Sequence, residues 1–192
     1  MTRALFIVDL QNDFTERGAL GVTGGDEVAA RVTAFLADHA RDYALIVASR
    51  DWHDPDNDNG GHFSDTPDFI DTWPPHCVAG SYGAEYDDLF DASAVSHHLK
   101  KGQGRPAYSL FEGHAEDGTT AAELLDRHGI VDIDVAGIAT DYCVRASALD
   151  ALAAGRHVRV LTDLIAGVHP ESSAKALEEI ERAGAELVPP RA

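Results

Sequence analysis

Two kinds of hydrophobic pattern alternate along this chain of 192 residues. Residues 4–8 and 44–48 form short, uninterrupted apolar runs, which are typical of strands covered on both faces. Between these runs, from Asp26 to about Arg41, apolar residues recur at intervals of three or four, which predicts a helix. The first part of the chain is therefore predicted to fold as strand, helix and strand.

The alternation continues through the second half of the chain. Further strands are predicted at residues 94–99, 133–138, 158–161 and 186–188. Thr120 and Glu123 have the spacing of a capping box, which predicts the start of a helix that ends at Gly129. Further helices are predicted from about Tyr142 to Gly155 and from Pro170 to about Gly184. Strands that alternate with helices in this way indicate an α/β fold, with a mostly parallel sheet and helices on both faces.

One long segment breaks this alternation. From Asp51 to about Asp91 the chain shows little regular pattern and is rich in Asp, Pro, Gly, His and aromatic residues. Loops of this length inside compact domains are usually functional or disordered. Aromatic side chains argue against disorder because they give the loop something to pack, and they are Trp52, Phe63, Phe69, Trp73 and Tyr82. We therefore predict one domain over residues 1–192, with an insertion at about residues 50–92.

Charge narrows the range of partners. The chain has 15 Lys and Arg residues against 33 Asp and Glu residues, a net charge of −18, which disfavours binding to nucleic acid and to anionic lipid. No apolar run approaches the roughly 18 residues that a membrane span requires, and the N-terminal run is too short for a signal peptide. Two cysteines cannot form a disulfide framework. We expect a cytoplasmic protein with free thiols and a small ligand, either a monomer or a homo-oligomer.

Chemically active side chains follow the ends of the first four predicted strands. Asp9 follows the first strand, Asp51 and His53 the second, Lys101 the third, and Cys143 the fourth. In an open parallel sheet, ligands bind outside the carboxyl ends of the strands. The sequence therefore predicts that an acid, an imidazole, an amine and a thiol converge at one edge of the sheet.

Each of these side chains also has a plainer interpretation. Cys143 is predicted at the start of a helix, whose partial positive charge favours a thiolate and whose N–H groups can hold an oxyanion. A free cysteine is otherwise a small buried hydrophobe, and we assign that role to Cys77. Asp9 could carry a proton during catalysis or simply cap a loop. Alternation along a strand lets only one of Lys100 and Lys101 face the site, and the pattern alone leaves open which one does so.

Four side chains in or next to the insertion suit a metal ion. Asp51 and His53 lie on one side of an extended segment, and His62 and His76 follow in the same loop. One carboxylate and three neutral imidazoles are suitable ligands for Zn, Fe(II) or Mn(II). The other histidines lie in other predicted elements and are expected to have no role in the site: His39, His97, His98, His114, His128, His157 and His169.

Several short motifs, taken in order, resemble those of the isochorismatase-like cysteine hydrolases. Residues 7–14 (IVDLQNDF) resemble the opening signature of that superfamily, and residues 137–144 (GIATDYCV) its cysteine motif. Residues 49–53 (SRDWH), 61–63 (GHF) and 73–77 (WPPHC) resemble the metal loop of the nicotinamidases within it. The match extends from about residue 3 to residue 188. Each motif alone is weak, but together they are highly specific.

The resemblance implies a three-layer α/β/α sandwich with a mainly parallel six-stranded sheet. It also implies a catalytic triad of Cys143, Asp9 and Lys101, which selects Lys101 over Lys100. One divalent metal ion, Zn, Fe or Mn, is implied with the ligands Asp51, His53, His62 and His76.

The resemblance further implies how a substrate is bound. The peptide bond between Ile138 and Ala139 is expected to be cis, and the N–H groups of Ala139 and Cys143 to form the oxyanion hole. A flat, neutral heteroaromatic amide is expected in a pocket lined by Phe14, Trp73, Tyr108, Ala139 and Tyr142.

The implied activity is hydrolysis of nicotinamide to nicotinate and ammonia through a cysteine thioester. A role in NAD salvage and activity on pyrazinamide are also implied. Two alternatives stay open, namely another amide or carbamoyl hydrolase of the superfamily and a non-catalytic protein that binds a metal or ligand on this scaffold. Nucleotide binding on a flavodoxin-like fold is disfavoured because no Gly-rich phosphate loop follows the first strand.

Overall fold

A parallel sheet of six strands runs through the centre of the computed structural model, which describes residues 2–189. Met1 and residues 190–192, which belong to the predicted domain, lie outside the described residues. The strands are, in chain order, β1 (Arg3–Val8), β2 (Leu45–Asp51), β3 (His97–Lys101), β4 (Asp132–Ile138), β5 (His157–Ala166) and β6 (Glu186–Val188). They lie in the order β3-β2-β1-β4-β5-β6, and each neighbouring pair is parallel. The predicted six-stranded parallel sheet is confirmed.

Helices cover both faces of this sheet. They are α1 (Gly25–His39), α2 (Ala121–Arg127), α3 (Arg145–Ala153) and α4 (Pro170–Arg182). Val28 and Val32 of α1 share an apolar core with Leu5 and Ile7 of β1. On the other face, Phe6 belongs to a second core with residues of α2, α3 and α4, because successive side chains of a strand point to opposite faces. The predicted three-layer sandwich is confirmed. Every helix within residues 2–189 is too short or too polar to cross a membrane.

Polar side chains set the start of α2 as the sequence predicts. Thr120 Oγ1 accepts a hydrogen bond from the Glu123 N–H at 3.3 Å, and the Glu123 carboxylate accepts one from the Thr120 N–H at 2.8 Å. These reciprocal bonds satisfy two N–H groups that a helix start leaves without partners. The predicted capping box is therefore confirmed, and Gly129 follows the helix with a positive φ of 60°.

The third strand lies further along the chain than predicted. It begins at His97 and not at residue 94, because residues 92–94 form a 3₁₀ turn, in which the Asp91 side chain accepts a hydrogen bond from the Ser93 N–H at 2.9 Å. It continues to Lys101, which is paired in register with Asp51 of β2.

The boundaries of two later elements also differ from the predictions. β5 extends beyond the predicted end at Leu161 to Ala166, because polar residues interrupt its apolar run without ending its pairing with β4. The helix predicted from Tyr142 begins as a π-helical turn (Thr140–Val144), and the regular helix α3 starts only at Arg145.

The insertion is ordered and is bonded to the carboxyl edge of the sheet. The His53 N–H donates to the Cys77 carbonyl at 3.0 Å, within the insertion. The side-chain amide of Gln11, just after β1, donates to the carbonyls of Asp51 and Ala84, both at 2.9 Å. Its oxygen accepts from the Asp51 N–H at 2.8 Å. One buried amide therefore joins the exits of β1 and β2 to the far part of the insertion.

Candidate active site

Three of the predicted side chains meet in one buried cluster at the carboxyl ends of the central strands. Lys101 Nζ lies 2.9 Å from Asp9 Oδ2 and 3.6 Å from Cys143 Sγ. The reactive atoms of Asp9, Asp51 and Cys143 all lie within 4.8 Å of one another. The convergence predicted from the strand ends is therefore present, since one acid, one amine and one thiol lie within reach of each other.

Asp9 is fully buried and held from two sides. It follows β1 with a positive φ of 47°, and Ser49 Oγ donates to its Oδ1 at 2.7 Å. Burial raises the pKa of Asp9, Asp51 raises it further, and Lys101 and Ser49 oppose the rise. The net effect is a raised pKa, which suits a carboxylate that must accept and return a proton.

Lys101 is fully buried between two carboxylates, where its ammonium pairs with Asp9 and donates to Asp51 Oδ1. Burial alone lowers the pKa of Lys101, but the two carboxylates outweigh that effect and hold the pKa well above its usual value. Lys100 points to the other side, with Nζ 4.0 Å from the ring centre of Trp52. The structure thus places Lys101, and not Lys100, in the cluster.

Cys143 lies in the π-helical turn, buried except for a small surface that faces the cavity described below. The expectation that its setting lowers the thiol pKa is wrong. Burial raises the pKa of Cys143, and Asp9 and Asp51 raise it as well, whereas Lys101 alone opposes them. The regular helix begins only at Arg145, so the thiol does not cap its first turn. The net effect is a raised thiol pKa, which the Lys101 ammonium reduces.

The peptide bond between Ile138 and Ala139 is cis, as the resemblance implies. The Ala139 carbonyl accepts hydrogen bonds from the N–H groups of Tyr142 at 3.0 Å and Val144 at 3.1 Å. These bonds close the turn that carries Cys143. Ala139 and Cys143 both line the cavity, where their N–H groups are the predicted oxyanion donors.

Three imidazoles of the insertion form a second cluster beside the first. One nitrogen from each of His53, His62 and His76 lies within 4.8 Å of the other two. Asp51 Oδ2 lies 3.7 Å from His53 Nε2 and 3.9 Å from His76 Nε2. The four predicted metal ligands therefore lie together.

Hydrogen bonds orient two of these rings. His53 Nδ1 donates to the Gly102 carbonyl and His76 Nδ1 to the Pro74 carbonyl, each at 2.8 Å. Such bonds leave the opposite nitrogens free to bind a metal, as is usual for metal-ligating histidines. One of these two carbonyls belongs to the loop that follows β3, and the other belongs to the WPPHC motif itself.

The donor set fits a metal ion by its own chemistry. His53 Nε2 and His62 Nδ1 are buried without a hydrogen-bond partner, which is costly unless another group binds them. Burial, reinforced by the neighbouring imidazoles, lowers the pKa of His62 to about 4, and burial also lowers the pKa of His76. Burial raises the pKa of Asp51, but Lys101 and the histidines outweigh it, so this pKa is lowered. Neutral imidazoles with an ionised carboxylate are the protonation states that bind a divalent ion.

A cavity of about 500 Å³ opens beside both clusters. Each of the predicted substrate-binding residues lines it, namely Phe14, Trp73, Tyr108, Ala139 and Tyr142. Trp73 Nε1 donates to the Tyr108 hydroxyl at 3.1 Å, and the Trp73 ring meets the Tyr142 ring edge-on with centroids 5.2 Å apart. The cavity is thus lined by aromatic rings and by Cys143.

Several lining residues are missed by the sequence analysis. They come from the loops after β1 and β5 and from the insertion, and are Ala19, Leu20, Gly21, Val22, Phe69, Val168 and His169. His169, for which no role was expected, lines the cavity together with Val168, and we call these two residues the side wall of the cavity. Ligands bind outside the carboxyl ends of parallel strands, so a prediction that β5 reaches Ala166 would have indicated the side wall.

Comparison with known proteins agrees with this geometry. The isochorismatase domain family matches residues 3–189. The chain is 48% identical over 186 residues to the nicotinamidase/pyrazinamidase of Mycobacterium tuberculosis, covering 97% of this chain and 98% of that protein.

Two solved structures are similar over nearly the whole chain. The pyrazinamidase of Pyrococcus horikoshii in complex with zinc has 37% identity and a TM-score of 0.83, covering 98% of this chain and 99% of that one. PnC1 from L. infantum in complex with nicotinate has 30% identity and a TM-score of 0.82, covering 98% and 92%. The chain therefore belongs to the isochorismatase family and, within it, to the group of nicotinamidase/pyrazinamidase relatives.

Proposed function

We propose that this protein hydrolyses nicotinamide to nicotinate and ammonia through a thioester on Cys143. The observation that carries the proposal is the buried cluster of Cys143, Asp9 and Lys101 beside an aromatic cavity, next to three imidazoles. Relatives that are named nicotinamidase or bind nicotinate support the same substrate class. Activity on pyrazinamide and a role in NAD salvage in the cytoplasm belong to this proposal.

The first step forms a bond between Cys143 Sγ and the amide carbon. The thiol proton passes to the Asp9 carboxylate, whose raised pKa suits it to hold that proton. The N–H groups of Ala139 and Cys143 stabilise the oxyanion, and a donor of this kind lowers the barrier by about 3–4 kcal/mol. Asp9 then returns the proton to the amide nitrogen as the C–N bond breaks. Ammonia leaves, and the acyl group remains on Cys143 as a thioester.

The second step returns the free enzyme. A water molecule attacks the thioester carbon while Asp9 accepts one of its protons, and the C–S bond breaks. The proton on Asp9 returns to the sulfur, and the product leaves as the acid, which loses its remaining proton to solvent and becomes nicotinate. Throughout, the ammonium of Lys101 contacts both Asp9 and Cys143, so it keeps acid and thiol together and balances their charge.

Asp51, His53, His62 and His76 would hold one divalent ion, either zinc, iron or manganese. When bound, the ion supplies Lewis acidity that can anchor a ring nitrogen of the substrate. The zinc in the similar pyrazinamidase supports a metal in this position. Trp73, Tyr108 and the other aromatic side chains bind the faces and edges of the flat ring.

Ammonia release tests the proposal. Protein of known metal content is incubated with nicotinamide, pyrazinamide and N-carbamoyl compounds, and the Cys143→Ala and Cys77→Ala variants serve as a matched pair. We expect release from both ring amides, a fall of at least about a thousandfold in Cys143→Ala, and retained activity in Cys77→Ala. Turnover that survives in Cys143→Ala would overturn the assignment of the nucleophile.

Two further outcomes identify the alternatives. Release of ammonia from N-carbamoyl compounds alone would indicate a carbamoyl hydrolase. Metal binding without turnover of any amide, together with no preference of iodoacetamide for Cys143 over Cys77, would indicate a non-catalytic binding protein.

A further inference from the structure

Asp141 lies in the same turn as Cys143 but is not among the residues that line the cavity. Its carboxylate binds the segment that follows β5. Its two oxygens accept hydrogen bonds from the Val168 N–H at 2.9 Å, the His169 N–H at 3.2 Å and Ser172 Oγ at 2.6 Å. One side chain therefore ties the nucleophile turn to the side wall and to the first turn of α4.

The side wall depends on this carboxylate because it lies outside regular structure. β5 ends at Ala166 and α4 begins at Pro170, so neither the sheet nor the helix supplies partners for the N–H groups of the side wall. The connection is also tightly packed, since a β-carbon at Gly167 would lie 3.1 Å from Thr140 Cβ. The Asp141 carboxylate accepts both N–H groups of the side wall, so its loss leaves them without these bonds.

Other contacts hold the nucleophile itself. Lys101 Nζ lies 3.6 Å from Cys143 Sγ, and the Ala139 carbonyl accepts the N–H groups of Tyr142 and Val144. None of these bonds uses the Asp141 side chain. Loss of the Asp141 carboxylate is therefore expected to move the side wall while the triad keeps its geometry.

We propose that Asp141 is a positioning residue, whose carboxylate fixes the side wall against the nucleophile turn and so sets how tightly the substrate ring is held. The expected effect of Asp141 on KM rests on the proposed amide hydrolysis, because it can be measured only if the protein turns over an amide. Its structural effect concerns access to Cys143 and can be measured without turnover.

A matched pair of variants separates this role from a general loosening of the helices. Asp141→Asn keeps the shape of the side chain but replaces one acceptor oxygen with a donor group. Glu179→Gln weakens the bidentate pair between Arg145 and Glu179, which joins α3 to α4 at 2.7 Å without lining the cavity. Pairs of this exposed kind contribute little to stability.

The kinetic readout is the split between KM and kcat. For Asp141→Asn we expect the KM for nicotinamide to rise about tenfold and kcat to stay within about threefold of wild type. Glu179→Gln is expected to keep both constants. A fall in kcat with an unchanged KM, or the same rise of KM in both variants, would overturn the proposal.

The second readout is the alkylation of Cys143, located by mass spectrometry. The rate with bulky N-phenylmaleimide is divided by the rate with small iodoacetamide, because only the bulky reagent is sensitive to the side wall. We expect this ratio to rise at least about fivefold in Asp141→Asn and to stay unchanged in Glu179→Gln. An unchanged ratio in Asp141→Asn would contradict the role even if its KM rose.

These measurements also separate the two proposals. If the wild-type protein releases no ammonia from nicotinamide, the proposed function fails, whereas the alkylation ratio still decides the role of Asp141. If Asp141→Asn does not fold, Ser172→Ala removes one bond from the far side of the same carboxylate. It is expected to raise the ratio in the same direction by a smaller factor, and an unchanged ratio would overturn the inference.

Discussion

The backbone of Gly102 lies directly against the imidazole ring of His53. A β-carbon at residue 102 would lie 2.6 Å from His53 Cε1, and the Gly102 carbonyl accepts the hydrogen bond of His53 Nδ1 at 2.8 Å. Residue 102 must therefore be glycine for two reasons. The His53 ring leaves no room for a β-carbon, and φ is positive, at 85°.

Gly102→Ala is expected to lower the content of bound divalent metal, because the new methyl group displaces the His53 ring. Gly118→Ala is the matched control, since Gly118 has a φ of 84° and open space around it. The backbone strain of roughly 1–2 kcal/mol is then common to both variants. Elemental analysis should show metal loss only in Gly102→Ala, and equal metal content in the two would contradict the steric explanation.

Lys101→Met is expected to abolish ammonia release and to lower the free energy of unfolding by about 3–5 kcal/mol, because it leaves two buried carboxylates without their cation. Lys100→Met removes only the contact with the Trp52 ring, which contributes about 0.5–1 kcal/mol. Urea denaturation of the two metal-free variants measures the difference. Similar losses would show that the buried cluster does not depend on the Lys101 ammonium.

The stability of the metal-free protein is expected to fall as the pH decreases from about 6.5 to about 4. Burial lowers the pKa of His62 from 6.5 to about 4, so in this window the unfolded chain binds a proton that the folded chain does not. The contribution of His62 is therefore present above pH 6.5 and is lost as the pH falls. In His62→Gln the slope of unfolding free energy against pH should be smaller, and an unchanged slope would refute this origin.

Ser49→Ala is expected to move the acid limb of the kcat/KM profile to higher pH. The Ser49 hydroxyl donates to Asp9 Oδ1 at 2.7 Å and opposes the rise in the pKa of Asp9. Without it the pKa of Asp9 rises further, so at a given acidic pH a smaller fraction of the carboxylate is ionised and able to accept the thiol proton. Ser49→Thr keeps the hydroxyl and should retain the wild-type profile. Coincident profiles for Ser49→Ala and wild type would exclude this coupling.

Local pattern predicted all six strands and the residues at the ends of the first four, although it placed β3 too early and ended β5 too soon. The continuous apolar runs identify the buried strands, and the side chains that follow them, Asp9, Lys101 and Cys143, meet because parallel strands end at the same edge. The choice between Lys100 and Lys101 could not be made from the strand pattern, since alternation fixes only that the two point to opposite faces. The family motifs selected Lys101, in agreement with its burial.

What could not be predicted depends on distances between remote segments. The pKa of Cys143 is raised first by the burial of the thiol and then by Asp9 and Asp51, against the effect of Lys101, and the depth of burial follows from packing that no spacing along the chain reveals. The position of His169 beside the cavity was not predicted because polar residues conceal the last part of β5. The bond from Ser49 to Asp9 joins β2 to the residue after β1, and it depends on the register of the two strands, which the sequence pattern does not give.

The amide of Gln11 has a consequence for how this architecture can be inherited or engineered. Its nitrogen donates hydrogen bonds to two carbonyls, and its oxygen accepts one from an N–H group. Glutamate or leucine has a similar size but would leave some of these buried groups without a hydrogen bond. The insertion that carries the three clustered histidines is therefore not an independent module. Grafting it onto a related scaffold would require transferring this glutamine from a distant part of the chain, and recombination that separates the two would yield a folded sheet with a poorly formed ion site.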